Sequence, residues 1–259
     1  MVGNASVERP TRVVNKALVI NLTTGPGGYS NTQTVLAPTA TAALSALAPG
    51  TSYSLTLTPY LDAVRSENTG GNLRWYPGSP RIARRFLREQ DRAELVELNR
   101  DDFDVLQRCF AGDRQVHVHL MDGYQALKAY LPPRERRGLV LIDSSFDRAR
   151  EFDRLVDALK SAHERWATGV FALWYPLMDP STINGFERRI VASGIRKVLK
   201  LELSVLPEGW SDSLRGSGML VVNPPYGLEP EARAILPWLW RAMAEEGTGR
   251  SRVEWLVPE

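Results

Sequence analysis

The chain has 259 residues, 43% hydrophobic and 24% charged, enough to bury the core of one large soluble domain. Its net charge of +2 excludes a global electrostatic pull on nucleic acid, so any such contact needs a local basic patch. The single cysteine, Cys109, excludes an internal disulfide and a thiolate-rich metal site, and no stretch approaches the ~18 apolar residues of a membrane span.

A reducing, cytoplasmic setting is expected, because the first residues also lack the basic-then-apolar order of a secretory signal. Charge is unevenly spread. Residues 1–60 hold four charged side chains (Glu8, Arg9, Arg12 and Lys16) and ten threonines. Residues 1–16 are expected to be a poorly ordered lead. Ala17–Leu22 reads as a first strand and runs into the loop Thr23-Thr24-Gly25-Pro26-Gly27-Gly28. About 50 residues of weak pattern follow, with Tyr60–Ser66 as their clearest helix.

From residue 73 the pattern alternates. Apolar β-rich runs at Ala93–Leu98, Val116–Leu120, Leu139–Ile142, Val170–Trp174, Val198–Val205 and Met219–Val222 are mostly separated by helical periodicity. The helices are expected at Ser79–Arg92, Asp101–Phe110, Gly123–Leu131, Ala149–Trp166 and Pro180–Ser193, and a last strand at Val253–Val257. Such alternation implies an α/β fold with a mostly parallel sheet covered on both faces. Pro207–Gly216 is too short for a parallel crossover, so the two strands that flank it should pair antiparallel.

Chemistry is expected where strands end. Glycines after a first strand, Gly25 and Gly27, let backbone approach a nucleotide-like ligand, although a plain tight turn gives the same letters. Asn21 stands where such sites often carry an acid. Glu97, Asp122 and Asp143 each close a strand on the expected ligand edge. A carboxylate there can accept from ribose hydroxyls or an adenine amine, or can merely cap the next helix. Ser79-Pro80 reads as an N-cap and N1 pair. If the helix runs to Arg92, then Arg81, Arg84, Arg85, Arg88 and Arg92 form one basic stripe suited to phosphates or, equally, to surface ion pairs. His117 and His119 share a strand face without a third metal ligand in reach, so no metal is expected.

Several segments then combine into a resemblance. Leu73-Arg74-Trp75-Tyr76-Pro77-Gly78-Ser79-Pro80, Asp122-Gly123-Tyr124-Gln125-Ala126-Leu127-Lys128, Leu139-Val140-Leu141-Ile142-Asp143, Ala172-Leu173-Trp174-Tyr175-Pro176, Ser217-Gly218-Met219 and Asn223-Pro224-Pro225 resemble the bacterial 23S rRNA adenine-N6 methyltransferases over roughly residues 60–259. The resemblance implies one class I methyltransferase domain over residues 1–259. Its sheet is mostly parallel with an antiparallel terminal hairpin, and residues 30–72 form an inserted helical subdomain.

It further implies S-adenosylmethionine as cofactor, held by Asn21, Gly25, Gly27, Ser79, Glu97, Asp122, Gly123 and Asp143. The expected partner is 23S rRNA, contacted by Arg81, Arg84, Arg85 and Arg88, and the chain should be a monomer. The family's catalytic Asp-Pro-Pro-Tyr stands here as Asp143-Ser144-Ser145-Phe146, and its Asp-Thr-His-Ala-Gly-x-Gly loop stands as Asn21-Leu22-Thr23-Thr24-Gly25-Pro26-Gly27, without the Asp and the His. Asp143, Ser144 and Phe146 are the expected catalytic residues. The literal Asn223-Pro224-Pro225-Tyr226 is read as structural. A non-catalytic rRNA- or cofactor-binding descendant and a DNA adenine-N6 methyltransferase are the alternatives.

Overall fold

The computed structural model describes residues 16–21, 52–68, 75–146, 150–207, 214–244 and 248–259. Strand β1 (Lys16–Asn21) is followed by helix α1 (Ser52–Ser66) and helix α2 (Ser79–Phe86). Then come β2 (Arg92–Glu97), α3 (Arg100–Cys109), β3 (Val116–Leu120), α4 (Gly123–Tyr130), β4 (Gly138–Asp143), α5 (Glu151–Arg165) and β5 (Val170–Pro176). The chain closes with α6 (Pro180–Ala192), β6 (Val198–Ser204), β7 (Gly216–Val222), α7 (Leu228–Met243) and β8 (Arg250–Val257).

These strands form one sheet in the order β3-β2-β1-β4-β5-β7-β6-β8. Alternation along a strand sends successive side chains to opposite faces. Phe171, Leu173 and Tyr175 of β5 therefore join Leu155 and Leu159 of α5 and Phe186 and Ile190 of α6 in one core. Leu199 and Leu201 of β6 and Met219 and Val221 of β7 meet Leu228, Ala232, Ile235, Leu236 and Leu239 of α7 on the other face. A third cluster places Ala83 of α2 and Phe110 against Ala93, Leu95 and Val116. The result is a helix–sheet–helix sandwich. Helix α1 packs against α2 and α7 with Leu61, Ala63 and Val64 buried.

The α/β class and the antiparallel β6–β7 hairpin agree with the sequence reading. Helix α7 was not foreseen: its apolar spacing is helical, but Pro230 and Pro237 interrupt the pattern. Helix α2 is shorter than expected. Leu87 turns extended (φ −68°, ψ 130°), and buried Asp91 accepts from the Arg88 main-chain N–H (2.9 Å) and its guanidinium (2.8 Å). The turn that Asp91 holds feeds the chain into β2.

The larger difference is β1. It pairs antiparallel with both β2 and β4, so Lys16 lies beside Glu97 and Asp143, while Asn21 lies beside Arg92 and Gly138 at the far edge. The hexapeptide Lys-Ala-Leu-Val-Ile-Asn is an apolar run between two polar ends, the same read either way, so its pattern carries no direction. The expectation that Asn21 opens on the same edge as the strand-end carboxylates is corrected by this register. Gly25 and Gly27, residues 1–15 and most of segment 30–72 lie outside the described residues.

Candidate functional site

Residues on five neighbouring strands define one rim. In register, Leu120 of β3, Glu97 of β2, Lys16 of β1, Asp143 of β4 and Trp174 of β5 form a single row. Asp122 follows two residues beyond Leu120. The three carboxylates foreseen from sequence therefore share an edge.

Their local duties differ. Asp122 is the N-cap of α4 and accepts from the Tyr124 N–H (2.7 Å) and the Gln125 N–H (3.3 Å), so the capping reading holds there. For α3 the cap is Asn99, whose side chain accepts from the Asp101 and Asp102 amides. Glu97 is not needed for that task. It is fully buried, and one of its oxygens accepts from the Asn99 N–H at 2.9 Å. Asp143 is likewise no cap, because α5 begins after Arg150 in a left-handed conformation (φ 66°). Burying a carboxylate costs several kcal/mol unless donors meet it, which makes Glu97 the costliest of the three to place there.

The segment after β4 has its own support. Ser144 is buried, and its hydroxyl donates to Oε1 of Glu151, itself 3% exposed. The Tyr124 hydroxyl donates to the same oxygen at 2.6 Å. Burial, then the bond to Glu151, holds the Tyr124 phenol above its ordinary pKa, so it remains a donor. Arg154 pairs with Glu151 Oε2 (3.2 Å) and with Asp122 Oδ2 (3.7 Å), and its guanidinium lies 4.7 Å from the Tyr124 ring centroid. Phe146 takes a left-handed backbone (φ 53°), with its ring 4.8 Å from Phe152 and 5.9 Å from Trp174, centroid to centroid. Behind Tyr124 and Arg154 the α4–α5 groove encloses about 270 Å³.

The basic stripe is broken up. Ser79 is the first helical residue of α2, and Gly78 is its N-cap. Arg81 pairs with Glu67; Arg84 pairs with Asp113 at 2.5 Å, and Arg88 lies off the helix, held by Asp91. Burial raises the Asp113 carboxyl, but the bonds from Arg84 and from the Gln115 amide outweigh it and leave the group below its ordinary pKa. Arg85 is exposed.

Sequence reasoning passed over Trp75 and the group of Glu151 and Arg154. Trp75 is 65% exposed, yet Asn68 grips its backbone on both sides, accepting from its N–H (2.9 Å) and donating to its carbonyl (2.7 Å). An aromatic pair just ahead of Pro77-Gly78-Ser79-Pro80 was the available signal. Nothing in the sequence marks Glu151, because Ser144 and Tyr124, which donate to it, lie on other elements.

Asn223-Pro224-Pro225-Tyr226 sits elsewhere. Strand β7 runs backward beside β5, pairing Val222 with Phe171, so this motif leaves from the opposite rim to Asp143. Asn223 donates to the carbonyls of Ala167 and Gly169, both at 2.8 Å, and pins the α5–β5 turn. His117 and His119 both meet Glu94, at 3.0 and 2.6 Å. Among the described residues no group of three His, Cys, Asp or Glu could hold a metal ion.

A helix–sheet–helix sandwich with carboxylates along one strand-end rim, and with β7 antiparallel between β5 and β6, has the layout of class I methyltransferases, with β1 reversed in this chain. Residues 23–257 match the family model described as ribosomal RNA large subunit methyltransferase D, RlmJ, and the chain belongs to that family. It is 43% identical over 203 residues to ribosomal RNA large subunit methyltransferase J of Escherichia coli, covering 78% of this chain and 72% of the relative. The protein of the same name from Haemophilus influenzae is 43% identical over 201 residues, 77% and 72% of the two chains. Among solved structures, protein LPL1258 of Legionella pneumophila is 30% identical with a TM-score of 0.72, covering 77% of this chain and 74% of that one.

Proposed function

We propose that this chain transfers a methyl group from S-adenosylmethionine to N6 of an adenine in 23S rRNA. The observation that carries the reading is the row placing Glu97 and Asp143 on one rim with Trp174, and Asp122 just beyond β3. The described residues fit the nucleoside end of the cofactor. Glu97, relieved of capping by Asn99, would take the ribose hydroxyls; Asp122 and Gly123 would face the adenine; and Ser79, at the start of α2, offers an amide at a helix N-terminus. When bound, S-adenosylmethionine supplies an activated methyl on a sulfonium.

Asp143 accepts from the target amine and stabilises the positive charge that develops there. The carbonyl of Ser144 provides a second acceptor. Phe146 gives the target ring a stacking face, which requires the base to leave its stack. Trp75 and Arg85, both exposed, would offer a base platform and a phosphate contact. Electrostatics and positioning, rather than a strong general base, account for the rate, since the amine can lose its proton after methyl attack.

A second reading, a binding protein without turnover, draws support from the direction of β1, which carries Asn21 away from this rim. Two measurements decide. Titration calorimetry should show S-adenosylmethionine binding, and labelled methyl should enter deproteinised 23S rRNA but not duplex DNA. Absence of heat at about 1 mM cofactor removes the enzyme reading.

A further inference from the structure

The loop Asp143-Ser144-Ser145-Phe146 carries no proline, so neither of its central φ angles is fixed by a ring. Phe146 even occupies a left-handed conformation that bulky side chains rarely adopt, and such a conformation persists only where its surroundings impose it. Two residues before Phe146, the loop is held by side chains from two other elements. Ser144, 4% exposed, donates to Glu151 Oε1; Tyr124, at the start of α4, donates to the same atom at 2.6 Å; and Arg154, one turn along α5, pairs with Glu151 Oε2 at 3.2 Å.

Arg154 also reaches Asp122 at 3.7 Å, and Asp122 accepts from the Tyr124 N–H at 2.7 Å. The contacts close into a ring: Asp122, Tyr124, Glu151, Arg154 and back to Asp122, with Ser144 attached at Glu151. One arm of this ring is the turn expected to face the cofactor's adenine, and the other is the loop expected to face the target amine. A buried network of this kind is rigid only while every member is satisfied.

We infer that Glu151 is a positioning residue, whose buried carboxylate locks the Asp143–Phe146 loop to the Asp122 turn through Ser144, Tyr124 and Arg154. The inference rests on the methyltransferase reading for its catalytic consequence, and on geometry alone for its structural one. Glu151 touches neither reacting group. Its effect is on where Asp143 and the Ser144 carbonyl stand, and a displacement of ~1 Å at such groups costs about 10²-fold in rate.

The test uses the full chain with Glu151→Ala and Glu151→Gln, read by steady-state kinetics and amide hydrogen exchange. Glu151→Ala should lower kcat about 10²-fold while KM for S-adenosylmethionine moves less than about threefold. Glu151→Gln keeps an oxygen that accepts from Ser144 and Tyr124, and should recover at least about tenfold of that loss. In parallel the amides of Ser144 and Ser145 should exchange about tenfold faster in Glu151→Ala, return to the wild-type rate in Glu151→Gln, and leave β5 unchanged.

A kcat within about twofold of wild type in Glu151→Ala overturns the inference. So does equal loss in both variants with faster exchange throughout β4 and β5, the sign of general destabilisation. An inactive wild-type chain would overturn the methyltransferase reading instead. The exchange comparison would then still decide whether Glu151 fixes the loop: unchanged rates at Ser144 and Ser145 overturn it.

Discussion

Phe146→Ala is expected to reduce methyl incorporation into deproteinised 23S rRNA by at least about 10³-fold in kcat/KM. Two losses combine. The stacking face for the flipped adenine goes, worth roughly 1–3 kcal/mol per base. The ring also anchors its loop against Phe152 and Trp174, at 4.8 and 5.9 Å. Without that anchor the left-handed backbone at φ 53° loses what enforces it, and the neighbouring Ser144 carbonyl is free to drift, at a cost of about 10²-fold. The loss should appear in both kcat and KM for RNA, with cofactor affinity nearly unchanged. Activity within about tenfold of wild type would move the target pocket away from this loop. Tyr226, fully exposed on the opposite rim, would then be the aromatic to examine.

Gly218→Ala should destabilise the fold by several kcal/mol. Tyr175, Gly218, Glu202 and Arg252 lie in register on β5, β7, β6 and β8. The Tyr175 ring crosses over Gly218 so that its hydroxyl donates to buried Glu202 at 2.9 Å. Burial, then the Glu202 charge, raises the Tyr175 phenol far above its ordinary pKa, so it stays protonated and donating. A Cβ on residue 218 would stand 2.1 Å from Cζ of that ring, and the ring, wholly buried, has nowhere to go. Overpacking costs about 1–3 kcal/mol, and a stranded Glu202 acceptor about 1–3 more. A total near 3 kcal/mol corresponds to roughly 6–12 °C in Tm. In a Tyr175→Leu background the same change should cost clearly less, since the two share one contact. A Tm shift below about 2 °C in the single variant contradicts this account.

How much of this was legible in the sequence depends on the range of the signal. Alternation and apolar spacing are local, so β2 to β7 and α3 to α6 stand close to where the pattern puts them. Glu97, Asp122 and Asp143 were legible because a strand's end is a local feature and the sheet brings such ends together. The direction of β1 was not, because its two neighbours set it and its own six residues do not. Arg88 looked helical by spacing, but the buried Asp91 three residues on diverts the chain, and its burial is a tertiary fact. Glu151 was invisible for the same reason: its partners Ser144 and Tyr124 lie 7 and 27 residues away. The two aromatic-ended motifs, at Phe146 and Tyr226, are separated by strand polarity, which letters alone do not record.

The ion pairs on α2 and on the turn after it bear on how this chain responds to ionic strength. A guanidinium that meets a phosphate ordinarily displaces condensed cations, and each such contact adds about 0.7 to 0.9 to the salt exponent of binding. Arg81, Arg84 and Arg88 already hold Glu67, Asp113 and Asp91, so a phosphate reaching them trades one anion for another. Arg85, exposed and outside these pairs, remains to act in the usual way. RNA affinity should therefore fall with added salt by an exponent near 1 from this helix, well short of the value its arginine count suggests.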